Sequence, residues 1–432
     1  MLPDYSPSPP APPYSFEPST DELRLEFAPQ RRVGPLSGRA LLKRLGQTTL
    51  VLHDQADDSS IPSYGRNSVI RAVICFDNSA NITSVSVKIR GAVDTTLSEF
   101  GAKTKQLLRH RLVLWKKSSS TDRSTCPGQL AFSYPLPSTY MDHSEEIQFP
   151  PSFRLFSPGF FVRVHYSIIV TVVRTRLWKL DFWPSVRKDK IPFNYSPRSR
   201  PNRPIVHTPC FLSYVKMLPE EWYQATSKFQ TRPYWQSREP LYCHFFIPSA
   251  RIYGVTDSIP FHIQLNGPTS SLHEFFPQKA LHHMATSDSS FSALSIHTAA
   301  DTTRLKSKTK SPRGKARLPC VRVVIIRQVV VHRNGSKVWR NSIIGEGVVQ
   351  PLPPPHFRDR CLGAREESLD WTGHVKCADD VTSADSFATS LVHVQHFLSL
   401  AFTPPEPHTS PFIELNMNIP IKLVSESYSE PT

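Results

Sequence analysis

Alternation of apolar and polar residues is the dominant pattern of this chain, and proline-rich turns interrupt it at short intervals. In residues 85–91, valine and isoleucine alternate with serine, lysine and arginine. A period of two places apolar side chains on one face of a β-strand and polar side chains on the other. The same alternation occurs at 23–27 and 259–265, and long helical periodicity is almost absent. The sequence therefore predicts an all-β protein built from two tandem β-sandwich domains.

Two segments carry stronger local signals. Residues 161–173 are rich in β-branched residues, which indicates a central strand buried on both faces for part of its length. Arg163 lies within this run, and a charge there needs either a partner or a solvated face. Asn334–Gly335 separates two strand patterns, 321–331 and 336–340, and predicts a β-hairpin. Further strands are predicted at 50–52, 69–76, 241–247, 369–377, 391–400 and 420–424.

Composition marks the domain boundaries. Residues 1–20 hold seven prolines and predict a disordered tail, because such a segment cannot bury enough apolar surface to order itself. Residues 269–318 are rich in Ser, Thr, His and basic residues, and they predict a disordered insertion between two strands. The predicted parts are a tail at 1–20, an N-domain at 21–206, a connecting segment at 207–240, a C-domain at 241–425 and a C-terminal tail at 426–432.

The charge of the chain indicates an acidic partner without identifying it. The formal net charge is +15 at pH 7, which suits anionic lipid, phosphorylated protein or nucleic acid alike. One basic cluster stands out within the predicted insertion. We interpret it first as a solvated loop and second as a membrane-surface or nuclear-import patch. Its members are Arg304, Lys306, Lys308, Lys310, Arg313, Lys315 and Arg317.

Catalytic and metal-binding motifs are not evident. The seven cysteines are scattered and form no C-x-x-C pair, so neither a disulfide framework nor a zinc site is predicted. No nucleophile elbow, phosphate-binding glycine loop or dinucleotide fingerprint occurs, and no cofactor is expected. His393 and His396 are three apart on a strand pattern and should point to opposite faces. Trp339 and Trp371 could be ligand platforms, but tryptophan in sandwich strands is more often part of the core.

The segments that carry these strand patterns resemble the arrestin family, in particular arrestin-like proteins of filamentous and mushroom-forming fungi. The resemblance extends over roughly residues 21–425. In the first half it lies in Pro62-x-Tyr64-Gly65-Arg66, 85–91, 150–153, the strand from Phe161 and 195–201. In the second half it lies in 259–261, 338–340, 345–347 and 370–373. It implies two immunoglobulin-like sandwiches that act by binding.

What the resemblance implies is an adaptor that engages plasma-membrane transporters or receptors as cargo and recruits a HECT-type ubiquitin ligase for endocytosis. Family adaptors recruit the WW domains of the ligase through P-P-x-Y. Here the tail contains two tetrapeptides that depart from this motif, Leu2-Pro3-Asp4-Tyr5 and Ala11-Pro12-Pro13-Tyr14. Each keeps a proline and a tyrosine that suit an aromatic groove, although a proline-rich tail also yields such tetrapeptides by composition. The candidate ligase-binding residues are Leu2, Pro3, Tyr5, Pro12, Pro13 and Tyr14.

Three functional hypotheses remain open at this stage. The first is a cytoplasmic adaptor at the plasma membrane or endosomes, whose basic surface lies against anionic lipid. The second is a signalling or sorting scaffold of the same fold without a ligase link. The third, ranked lowest, is a β-sandwich enzyme, because no catalytic constellation is evident. No nucleic-acid partner is expected.

Overall fold

The structure is a computed structural model of the whole chain. It describes residues 40–55, 60–118, 124–175, 185–205, 211–235, 239–275, 320–352, 366–381 and 386–428. These residues form two compact units. The N-terminal unit holds the described residues up to Pro204, together with Thr389–Leu391 and the described residues from Val424 onward. The C-terminal unit holds the described residues of Ile205–Ala388 and Val392–Leu423.

The N-terminal unit is a β-sandwich of two principal sheets. Its strands are β1 (Leu41–Leu45), β2 (Thr48–Leu52), β3 (Ser63–Tyr64), β4 (Val69–Phe76), β5 (Ile82–Leu97), β6 (Gly101–Lys116), β7 (Gln129–Pro135), β8 (Thr139–Asp142), β9 (Glu145–Gln148), β10 (Phe153–Ser157), β11 (Phe160–Arg174) and β12 (Ser185–Tyr195). One sheet has the order β1-β2-β4-β7, and the other has the order β3-β12-β11-β5-β6, with β10 also paired to β11. Strands β8 and β9 form a separate two-stranded sheet.

The predicted alternation accounts for the core of this unit. Ile70 and Ile74 of β4 are fully buried, and so are Val85, Val87 and Ile89 of β5. Burying one such aliphatic side chain contributes about 1.5–3 kcal/mol relative to leaving it exposed. One face of β4 and one face of β5 therefore supply the core, and the opposite face of each of these strands is more exposed.

Strand β11 is the central strand that the sequence predicts. It pairs with β12 on one side and β5 on the other, and Ser167 and Ile168 are both fully buried, so burial on both faces is confirmed for part of the strand. Opposite it, Gly91 lies at a register shift between β5 and β6. A Cβ at Gly91 would lie 2.6 Å from the Tyr166 ring, so the missing side chain makes room for that aromatic ring.

The C-terminal unit is built on one large curled sheet. Its strands are β13 (Trp222–Lys228), β14 (Tyr242–Pro248), β15 (Ile252–Gly254), β16 (Ile259–Pro268), β17 (Val321–Arg333), β18 (Ser336–Pro351), β19 (Glu366–Cys377), β20 (Phe387–Ala388), β21 (Val392–Phe402) and β22 (Leu415–Val424). The order is β13-β14-β16-β19-β18-β17-β21-β22-β15, with β20 paired to β21. Two short helices, α1 (Phe211–Met217) and α2 (Thr269–Phe275), and 3-10 turns at Pro219–Glu221 and Pro233–Trp235 accompany it.

One hydrophobic cluster joins the two ends of this sheet. Phe245 and Phe261 from β14 and β16 share it with Leu398 and Phe402 from β21, and Phe275 of α2 packs against Phe402. The hairpin predicted at Asn334–Gly335 is confirmed, since both residues have positive φ and β17 pairs with β18. Such a turn matches the twist of the flanking strands.

The fold is therefore all-β, as predicted, with two β-sandwich units in tandem. Residues 222–228, within the segment assigned to a connection, form β13, and α2 occupies the start of the segment assigned to a disordered insertion. Neither helix in the described part of the chain is long and apolar enough to cross a membrane.

Candidate functional site

Two of the predicted sites lie outside the described residues. These are the tail with its candidate ligase-binding residues, Leu2, Pro3, Tyr5, Pro12, Pro13 and Tyr14, and the basic cluster at 304–317. Both remain predictions.

The two tryptophans weighed as ligand platforms differ in their surroundings. Trp371 is buried in the core of the C-terminal unit and packs edge-on against Phe402, as predicted. Trp339 is 56% exposed, so its assignment to the core is wrong. It lies on the outward face of the sheet, opposite Val330 of β17.

The two histidines of β21 point to opposite faces, as predicted. His396 is fully buried, whereas His393 is partly exposed. Nε2 of His396 accepts a hydrogen bond from Arg327 Nε at 3.2 Å, and its Nδ1 lies 2.9 Å from Ser386 Oγ. Burial and the nearby Arg327 guanidinium lower the pKa of His396 to about 3. His396 is therefore a neutral core residue.

The most distinctive surface is on the N-terminal unit, where the outward face of the β3-β12-β11-β5-β6 sheet collects positive charge. We call this surface the basic face. Strand alternation turns the apolar residues of β5 and β11 inward and leaves the intervening positions outward. The basic face consists of Lys88, Arg90, Arg109, Arg111, Arg154, Arg163, Lys188 and Lys190.

Cross-strand register brings these cations together. Lys88 pairs with Arg111, and Arg90 pairs with Arg109. On the other side of β5, Ile169 of β11 lies between Lys88 and Lys190. Directly opposed residues have Cβ atoms about 4.5–5.5 Å apart, and like charges at that separation destabilise a sheet. The cluster thus has an energetic cost for folding, which an anionic ligand would offset.

The pKa of Lys88 reflects the positive charge of the neighbouring side chains. Its pKa is lowered by partial desolvation, then by the cations Arg109, Arg90, Arg111 and Lys188. No carboxylate is among the causes. Within the described part of the chain, none of the eight cations of the basic face forms a salt bridge. The positive charge is therefore not neutralised internally by the described carboxylates.

One carboxylate, Asp94 of β5, lies on the same sheet face, where it is the cross-strand neighbour of Arg163 of β11. It accepts a hydrogen bond from Thr104 Oγ1 at 2.7 Å and lies 3.3 Å from His165 Nδ1. Burial lowers the pKa of His165, and Arg163 adds to that decrease against the opposing effect of Asp94. Asp94 thus interacts with its immediate neighbours and leaves the paired rows of β5 and β6 cationic.

A buried ion pair holds the first half of β6. Asp142 of β8 has a side chain that is 1% exposed and pairs with Lys105 of β6. Its Oδ2 accepts a hydrogen bond from the Ser390 backbone N–H at 2.9 Å and another from Tyr140 Oη at 3.2 Å. Burial raises the pKa of Asp142, but hydrogen bonds from Lys105 and Ser390 outweigh it and lower the pKa below its usual value. The pair positions the strand that carries Arg109 and Arg111.

A second His–Asp arrangement lies in the C-terminal unit. His262 Nε2 is 2.9 Å from Asp370 Oδ1, and Phe211 of α1 stacks on the imidazole with ring centroids 4.0 Å apart. Ser368 Oγ donates to Asp370 Oδ2 at 3.2 Å and does not contact His262. A nucleophilic triad needs the hydroxyl on the histidine, and the free ring nitrogen Nδ1 of His262 is buried without a hydrogen-bond partner. This geometry favours a structural role for the pair.

Metal chemistry has no evident site in the part of the chain that the structure describes, where no group of three or more His, Cys, Asp or Glu side chains converges. Burial raises the pKa of the Cys243 thiol to about 12 and that of Cys377 to about 11. Both thiols are therefore protonated and unreactive at neutral pH.

No family model matches the chain, and no curated protein matches it. The candidate site therefore rests on the geometry of the basic face. The sequence predicted that Arg163 needs either a partner or a solvated face, and Arg163 is exposed there. It did not predict β6, which supplies Arg109 and Arg111, although the alternation of Arg109, His110, Arg111 and Leu112 was a signal for that strand.

Proposed function

We propose that this protein is a binding adaptor of the arrestin-like type, which holds the anionic cytosolic segment of a membrane protein against its basic face. The observation that carries the proposal is the unpaired positive charge of the basic face. Eight cations from five strands project to one side of a rigid sheet, and strands position side chains more accurately than loops do. A binding role needs no catalytic group.

The arrestin-like resemblance supplies the rest of the proposal. The tail with Tyr5 and Tyr14 would recruit a HECT-type ubiquitin ligase through its WW domains, and bound transporters or receptors would then be ubiquitylated and internalised. Cytoplasmic localisation, peripheral to the plasma membrane or endosomes, belongs to the same proposal. The basic face gives it a physical basis, since a cationic surface accelerates encounter with acidic partners and favours their register.

A scaffold without a ligase link is the second candidate. The first proline of P-P-x-Y is replaced in both tail motifs, by Leu2 in one and Ala11 in the other. In this candidate the departure removes ligase recruitment, whereas the basic face still binds cargo.

The experiment compares the partners that two variants retain, by affinity capture and mass spectrometry. One variant changes Tyr5→Ala and Tyr14→Ala, and another changes three exposed cations, Arg109→Gln, Arg111→Gln and Lys190→Gln. The adaptor proposal predicts that the tail variant loses a HECT ligase but keeps membrane proteins. It predicts the reverse for the face variant.

A control variant matches the loss of charge. Lys216→Gln, Lys228→Gln and Lys337→Gln remove three exposed lysines from the C-terminal unit. This variant should capture the same partners as the unmodified protein. The scaffold predicts that the unmodified protein and the tail variant capture membrane proteins without a ligase and that the face variant loses them. Capture of membrane proteins by the face variant, or loss of them from the control variant, would contradict a role specific to the basic face.

A further inference from the structure

Among the strands that the structure describes, β6 lies at an edge of the sheet that carries the basic face. It runs from Gly101 to Lys116 and closes the order β3-β12-β11-β5-β6. Among the described strands, only β5 pairs with it. At about 3.4 Å per residue its 16 residues extend roughly 50 Å. Alternate backbone N–H and C=O groups of such an edge face away from the sheet and can pair with another chain.

The regular part of this edge coincides with the cations. Register shifts between β5 and β6 lie at Val85/Ser86 and Gly91/Ala92. Between them, the ladder from Ser86↔Val113 to Gly91↔Leu108 is uninterrupted. Bulges twist an edge and disfavour further pairing, so the segment 108–113 is the part of β6 best suited to accept a strand.

Charged residues on an edge strand also have a protective role, because they discourage uncontrolled pairing between copies. That role does not account for the whole basic face. Lys88 and Arg90 lie on β5, one strand inward, whereas Lys188 and Lys190 lie on the part of β12 that pairs only with β11 among the described strands, at the other side of the sheet. Charges at these positions do not guard the β6 edge, and they add attraction for an acidic chain lying along it.

The side chains of the regular segment define what an added strand should carry. Arg109, Arg111 and Val113 project to the outward face at alternate positions, and Val113 is 59% exposed. An added strand places its own side chains on that face at intervals of two. Two carboxylates at positions i and i+2 would face the two arginines, and an apolar residue at i+4 would cover Val113.

We propose that β6 binds an extended acidic peptide segment by strand addition, with carboxylates two residues apart facing Arg109 and Arg111. This inference rests on the proposed function, in which the partner is anionic, and it specifies how that partner is held. Backbone pairing fixes the peptide along the edge and the cations select its sequence, which is the usual division between affinity and specificity in strand addition.

The test uses fluorescently labelled ten-residue peptides and the full-length protein. The parent peptide holds Glu at positions 4 and 6, Val at position 8 and Ser or Thr elsewhere. Two further peptides have the same side chains but N-methylated backbone amides, one at alternate odd positions and the other at alternate even positions. Because only alternate amides of an added strand point toward β6, one methylated peptide should lose at least about tenfold in affinity and the other should bind like the parent.

The outcomes separate this inference from the proposed function. Equal affinity of all three peptides would overturn strand addition and leave charge-based binding in place. Equal weakening of both methylated peptides would also overturn it, since the amides that an added strand directs toward β6 are either all at odd positions or all at even positions. No binding of any peptide, with binding to vesicles containing anionic lipid, would contradict both the inference and the peptide-binding role. Arg109→Gln with Arg111→Gln should weaken the parent peptide, whereas Lys228→Gln with Lys337→Gln should not.

Discussion

His396 should make the C-terminal unit sensitive to mild acid. Its pKa is lowered from 6.5 to about 3 by burial and then by Arg327. In the unfolded chain the imidazole binds a proton near its ordinary pKa of about 6.5. The stabilisation is therefore fully present above pH 6.5 and is lost progressively as the pH falls toward 3.

The magnitude follows from the shift. At pH 5 the folded histidine remains neutral while the unfolded one is about 1.5 pH units below its pKa, and each unit corresponds to about 1.36 kcal/mol. The unfolding free energy should then be lower at pH 5 than at pH 7.5 by about 2 kcal/mol through this residue alone.

The perturbation is His396→Gln, since the glutamine Oε1 can accept the hydrogen bond from Arg327. Urea titrations followed by tryptophan fluorescence at pH 7.5 and 5.0 would measure the change in unfolding free energy for each protein. The variant should lose about 2 kcal/mol less than the unmodified chain over that interval. His374→Gln, an exposed position on β19, should leave the pH dependence unchanged. An equal acid loss in the unmodified and His396→Gln proteins would refute the reasoning.

Two further predictions concern stability. Gly373→Ala should destabilise the C-terminal unit by about 3 kcal/mol, because the added Cβ would lie 2.0 Å from the Val348 carbonyl oxygen. The control, Gly128→Ala, should be tolerated because a Cβ there meets nothing within 4 Å. Comparable urea midpoints for the two variants would contradict this prediction. Lys105→Met should cost about 3 kcal/mol by leaving the buried Asp142 carboxylate without its cation. In the same titration the exposed Lys103→Met is the control, and equal stability of these two lysine variants would show that the ion pair is not needed.

The sequence predicted the fold class well because alternation and burial have the same cause. Strand residues with a period of two must bury one face, and Val85, Val87 and Ile89 do so. The Asn334–Gly335 turn could be predicted equally well, since positive φ at both positions suits few other residues. These signals are local and need no knowledge of the partner strand.

The candidate site was harder to predict because it depends on cross-strand register. Lys88, Arg90, Arg109 and Arg111 are ordinary surface residues along the chain, and only the pairing of β5 with β6 places them opposite one another. Trp339 was misassigned for a related reason, since average burial of tryptophan says nothing about which face of β18 it occupies. The tail and the basic insertion carried the clearest sequence motifs, and they fall outside the described residues.

The most direct test of the account measures the affinity of the acidic peptide for the full-length protein over a range of salt concentrations. Charge pairing predicts that affinity falls steadily as salt rises. The variant with Arg109→Gln, Arg111→Gln and Lys190→Gln should bind at least about tenfold more weakly at low salt and respond less to salt. The control variant with Lys216→Gln, Lys228→Gln and Lys337→Gln should match the unmodified protein. Equal losses in the two variants would show that net charge alone, and not the basic face, holds the peptide.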